Sequence, residues 1–106
     1  MILLPATRAL YAAVAPVHLR ASFDVLFAIA REQLGLDVLH SAIVVYFNKD
    51  HSRCKLLFHD GSGFVILYKR LDRGHFVRLA PVGPQDRSVT IHARELAVLL
   101  EGIRTR

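Results

Sequence analysis

The apolar positions of the chain change their period several times, and each change marks an element. Residues 8–14, from Arg8 to Val14, are short and apolar and read as a strand, and Pro16 discourages a helix through that point. Ser22 then stands as an N-cap before Phe23, Leu26, Phe27, Ala30 and Leu34, which recur at the spacing of one helical face. Gly35 supplies a stop, so the pattern predicts a helix over 22–35. Residues 42–48, 53–59 and 64–71 are runs of β-branched, aliphatic and aromatic residues and read as strands. A fourth strand is expected at 75–79, after Arg73-Gly74, and a short one at 88–89. Thr90 caps a final helix over 91–103, with Leu96, Leu99, Leu100 and Ile103 on one face. The result is a single α+β domain spanning 1–106. An antiparallel sheet of four to five strands, a meander of hairpins, packs against the first helix and is followed by a C-terminal one.

The turns set a register. Asp60-Gly61-Ser62-Gly63 is a hairpin turn, and centring it on Gly61-Ser62 pairs Cys54 with Lys69, Leu56 with Leu67 and Phe58 with Val65. A turn centred on Asp50-His51 adds Phe47, Val45 and Ile43 to that face, which is mostly apolar and is expected to be the core beneath the first helix. The other face holds Arg53 opposite Arg70, Lys55 opposite Tyr68, Leu57 opposite Ile66 and His59 opposite Phe64, with Tyr46 and Val44 alongside. It reads as a mixed face, cationic at one end and aliphatic at the other.

Charge sharpens that picture. The net charge is +5, and eleven of the fourteen cations are arginine, which suits planar, bidentate contacts. Residues 49–78 alone carry +4, so the excess is concentrated where the strands are clearest. Arg53 and Arg70, directly opposed, repel each other, and a polyanion would relieve that cost. Arg53, Lys55, Lys69, Arg70 and Arg73 could meet phosphates, and Tyr46 and Tyr68 could stack on bases or donate hydrogen bonds. The same face, through Val44, Leu57 and Ile66, could instead serve a homodimer or another protein partner.

Other chemistries find little support. One cysteine, Cys54, makes no internal disulfide, and it falls on the core face, where a thiol is an inert hydrophobe. His51, Cys54, His59 and Asp60 could bind a metal only by converging from a loop and two opposite sheet faces. The turn at 61–63 is followed by a strand, unlike a phosphate loop. No catalytic residue, metal or cofactor is expected. The apolar stretch from Met1 to Val17 lacks a leading cation and is interrupted by Arg8, so it does not read as a signal peptide, and no run approaches a membrane span. The expected location is cytoplasmic.

The stretch from Val44 to Phe76 resembles the TnpB-type accessory protein of the insertion sequence sixty-six family, a small product encoded beside a separate transposase. The matches are Lys55-Leu56-Leu57, Asp60-Gly61 with Gly63, Tyr68-Lys69-Arg70-Leu71, Arg73-Gly74 and Phe76. Leu10-Tyr11, Pro16, Arg20 and Phe23-Asp24 match upstream, and Glu95 through Ile103 match downstream. The chain resembles a divergent member: His59 and Arg78 stand at or near places where the family carries tryptophan, and the end reads Arg-Thr-Arg. The resemblance implies a non-catalytic accessory role in transposition, with DNA, the element's transposase, or both as partners. The alternative is a protein-interaction module that binds no nucleic acid, from a repurposed mobile-element gene.

Overall fold

A computed structural model describes residues 8–103. Met1 to Thr7, in the apolar N-terminal stretch, and Arg104 and Arg106, in the C-terminal charge, lie outside the described residues. The elements in chain order are β1 (Ala9–Ala13), α1 (Phe23–Ala28), β2 (Ala42–Phe47), β3 (Arg53–His59), β4 (Phe64–Arg70), β5 (Ser88–Ile91) and α2 (Ala93–Glu101). The strands form one sheet in the order β4-β3-β2-β1-β5.

The hairpins hold their expected register. Cys54 faces Lys69, Leu56 faces Leu67 and Phe47 faces Cys54. Gly61, at φ 101°, takes the left-handed position, and the Asp60 carboxylate accepts from the Ser62 and Gly63 backbone N–H groups, both at 3.0 Å. Those bonds hold the Asp60 carboxyl below the usual carboxylate range.

The α+β reading holds, but the meander of antiparallel hairpins stops at β2. Strand β1 pairs with β2 in parallel and with β5 antiparallel, so the sheet is mixed. A parallel neighbour requires a crossover connection, and the first helix supplies it. The expected strand at 75–79 is also replaced. Only His75 pairs, by two hydrogen bonds with Ile103 of 3.0 and 2.7 Å, while Phe76, Val77 and Leu79 pack as loop against the core. Instead of adding to a sheet edge, the segment lies against one sheet face beside α2.

The larger correction concerns which face is covered by what. The face with Ile43, Val45, Phe47, Cys54, Leu56 and Phe58 forms a core with Phe76 and with Leu96 and Leu99 of α2. The first helix covers the opposite face, where Leu26 and Ala30 pack on Val44, Tyr46 and Leu57. Both sheet faces are therefore covered over β2 and most of β3, where Val44 and Leu57 are fully buried within the chain, while Ile66 on β4 is partly buried against the same cluster. All six residues of β2 are buried, as expected for a central strand with helices on either side.

The helical segment predicted over 22–35 starts at Phe23 and continues past α1 as a π-helix over Ile29–Leu34, ending at Gly35 in the left-handed region (φ 67°). With that winding Leu26, Phe27, Ile29, Ala30 and Leu34 all meet the same cluster, whereas Phe23 is exposed. The final helix begins after His92 rather than Thr90, which belongs to β5, and the Glu95 carboxylate accepts from the His92 backbone N–H at 3.1 Å. Among the described residues no helix is long and apolar enough to cross a membrane.

Candidate functional site

At the end of the sheet where β1 and β2 finish and β3 begins, the chain leaves an open groove of about 990 Å³. Its walls are Pro16–Arg20, Asn48–Asp50, Arg53, Tyr68 and Arg78. The 16–20 wall is held by the Val17 N–H, which donates to the Phe47 carbonyl at 2.9 Å where β2 ends. Four cations, Arg20, Lys49, Arg53 and Arg78, line the groove against one carboxylate, Asp50. Among the described residues none of the four forms an ion pair. The Arg78 guanidinium donates to the Lys49 carbonyl at 3.2 Å, which ties the loop after β4 to the β2–β3 turn.

That turn is tightly organised. Asn48 accepts from the Arg53 N–H through its side-chain oxygen at 3.0 Å, and Asp50 accepts from the Ser52 hydroxyl at 2.6 Å and its N–H at 3.0 Å. The Ser52 bonds hold the Asp50 carboxyl below its ordinary range, so its charge persists beside the cations. His51 sits in the left-handed region at φ 59° and turns its ring inward, stacked on Phe47 at 4.7 Å between centroids. It is 4% exposed, and among the described residues its Nδ1 has no hydrogen-bond partner. Burial, then the charges of Arg78 and His75, push its pKa below the ordinary 6.5. The unfolded chain therefore takes up this proton more readily than the folded one. Stability is full above the unfolded value and falls as the pH drops below 6.5 toward the folded value. In urea unfolding, the midpoint should fall between about pH 8 and about pH 5.5 more in the parent than in His51→Asn, which tolerates the left-handed backbone. Equal falls would exclude His51 as the source.

The residues singled out from the sequence divide into three groups. Arg53 and Tyr68 line the groove. Arg70 and Arg73 are exposed but lie outside its lining, although Arg70 is the cross-strand partner of Arg53. Tyr46, Lys55 and Lys69 are used within the fold. Tyr46 is fully buried, its hydroxyl donating to the Leu26 carbonyl at 2.7 Å, and burial raises its pKa well above the usual range. Lys55 is 8% exposed and donates to the Ala21 carbonyl at 2.9 Å, with its ammonium 5.0 Å from the centre of the Tyr68 ring. Lys69 points to the other sheet face and donates to the Leu100 carbonyl at 2.8 Å, where a cation suits the end of α2.

Sequence reasoning missed Arg20, Lys49 and Arg78 as a group, because the topology gathers them from three separated segments. Cys54 is buried and burial pushes its thiol up to about 11, far from the range of a reactive thiolate.

The family model described as IS66 Orf2 like protein matches residues 8–106. The chain is also similar to the uncharacterized protein y4hO of Sinorhizobium fredii, with 33% identity over 88 residues that cover 83% of this chain and 74% of that one. No solved structure matches.

Proposed function

Because the chain belongs to the IS66 Orf2-like family of insertion-sequence accessory proteins, we propose that it supports transposition without catalysis, by holding DNA in the groove between β2, β3 and the 16–20 segment. The single observation that carries this reading is the gathering of Arg20, Lys49, Arg53 and Arg78 around one groove with no ion pair among them in the described residues. Cations from three segments converge there although like charges repel, and a polyanion is the partner that makes such convergence favourable. The element's separate transposase is the second partner in this reading, and the compartment is the cytoplasm, where both would meet.

Binding through four phosphate contacts should weaken with salt, with a log–log slope of about −3 to −4. Changing Arg53 and Arg78 together to alanine should shrink that slope by about 2 and weaken binding to all sequences alike. A fluorescence-anisotropy titration against labelled DNA at several salt concentrations measures both. No binding at about 50 mM salt would remove the nucleic-acid reading and leave the protein-interaction module. Co-purification with the transposase from nuclease-treated extract tests that module directly.

A further inference from the structure

Resting on the reading of the groove as a DNA site, we propose that it takes an unpaired strand, with one base stacked on Tyr68 and the flanking phosphates held by Arg53, Arg20, Lys49 and Arg78. Tyr68 is 52% exposed and lies in the groove wall. Its ring is backed on one side by the Lys55 ammonium, 5.0 Å from the ring centre. Lys55, the cross-strand partner of Tyr68, is itself buried and bonded to the Ala21 carbonyl at 2.9 Å. Lys55 thus occupies one side of the ring, and the tyrosine keeps about half of its surface exposed in the groove wall. The contact with Lys55 restrains the ring, which lowers the side-chain freedom to be lost on stacking.

A flat aromatic among cations matches an unpaired nucleotide better than a duplex. In a duplex the base faces are covered by their neighbours, and only base edges and phosphates are presented. Reading edges requires an element that enters a groove of the DNA. Here the aromatic is set in a concave wall formed by a sheet end and three loop segments, and among the described residues no helix lines the groove. An unpaired base has an open π-face for Tyr68, and its phosphates can follow the cations on either side. The Arg53–Arg70 pair, directly opposed across β3 and β4, extends the cationic surface beyond Tyr68 along a continuing strand.

The test is fluorescence anisotropy with the full chain, comparing a labelled thymidine oligonucleotide of about 12 residues with a hairpin duplex of similar length at equal salt. The single strand is expected to bind about tenfold or more tightly than the duplex. Tyr68→Ala should lower single-strand affinity about tenfold or more and erase the preference, while Tyr68→Phe, which keeps the ring, should retain it. Tyr68 is half exposed on an edge strand, so Tyr68→Ala should stay folded, and its far-ultraviolet circular dichroism verifies this. If the duplex binds as well as the single strand and Tyr68→Ala changes nothing, the unpaired-strand assignment falls while the basic groove stands. A Tyr68→Phe loss as large as that of Tyr68→Ala would also overturn it, by assigning the effect to the hydroxyl. If neither probe binds, both proposals fall together.

Discussion

Replacing Tyr46 by alanine is expected to destabilise the fold by about 3–5 kcal/mol, the range for removing a large buried ring. The side chain has no solvent exposure, packs among Leu26, Ala30, Val44 and Leu57, and donates to the Leu26 carbonyl. Tyr46→Phe removes the hydrogen bond alone and should cost about 1 kcal/mol. Since a small domain has roughly 5–15 kcal/mol in total, the alanine variant loses a large share of it. In urea unfolding the midpoint should drop sharply with an unchanged slope, and the thermal midpoint should fall by roughly 12 °C or more. The outcome discriminates sharply. On an open sheet face the same change would cost about 1 kcal/mol or less, and such a result would mean that the first helix does not cover Tyr46.

Tyr46 also marks where the sequence was legible and where it was not. Turn chemistry is local, so the Asp60–Gly63 turn sets the pairing of Arg53 with Arg70 and of Lys55 with Tyr68, and the Asp50–His51 turn that of Phe47 with Cys54, before any tertiary information is needed. Which face a helix covers is not local. Alternation points the first helix to the most apolar face, yet that face is filled by α2 and the loop carrying Phe76. A signal was present: Ala42 to Phe47 and Leu56-Leu57-Phe58 are unbroken apolar runs, and a strand with one wet face would alternate. Those runs mean two covered faces, and with them a buried Tyr46. The crossover helix between residues 13 and 42 likewise permitted a parallel β1–β2 pair, which a meander built from hairpins overlooks. The groove was only half visible for a related reason. Arg53 and Tyr68 follow from strand register, whereas Arg20 and Arg78 reach it through loops whose course no periodicity reports.

The loop after β4 carries the last of these dependencies, and Phe76 is its anchor. The ring is fully buried, tilted against Phe47 at 5.6 Å, and the Phe76 N–H donates to the His51 carbonyl at 2.7 Å. His75 is paired with Ile103 beside it. The segment makes no strand, so its place depends on Phe76, the packing of Val77 and Leu79 beside it and a few hydrogen bonds rather than on a ladder. Phe76→Ala should therefore cost about 3–5 kcal/mol, as for other buried aromatic rings. The loss should also be regional, since contacts outside a cooperative ladder open first. In hydrogen exchange, the amides of His75, Phe76 and Ile103 should lose protection before those of β2 and β3. Arg78 lies two residues beyond Phe76 and contacts Lys49, so the groove should loosen as well. Nucleic-acid affinity should then fall under conditions where the variant is still folded. Were Phe76→Ala to leave stability and exchange unchanged, the loop would be held by something other than its ring, and the link from the core to Arg78 would be lost.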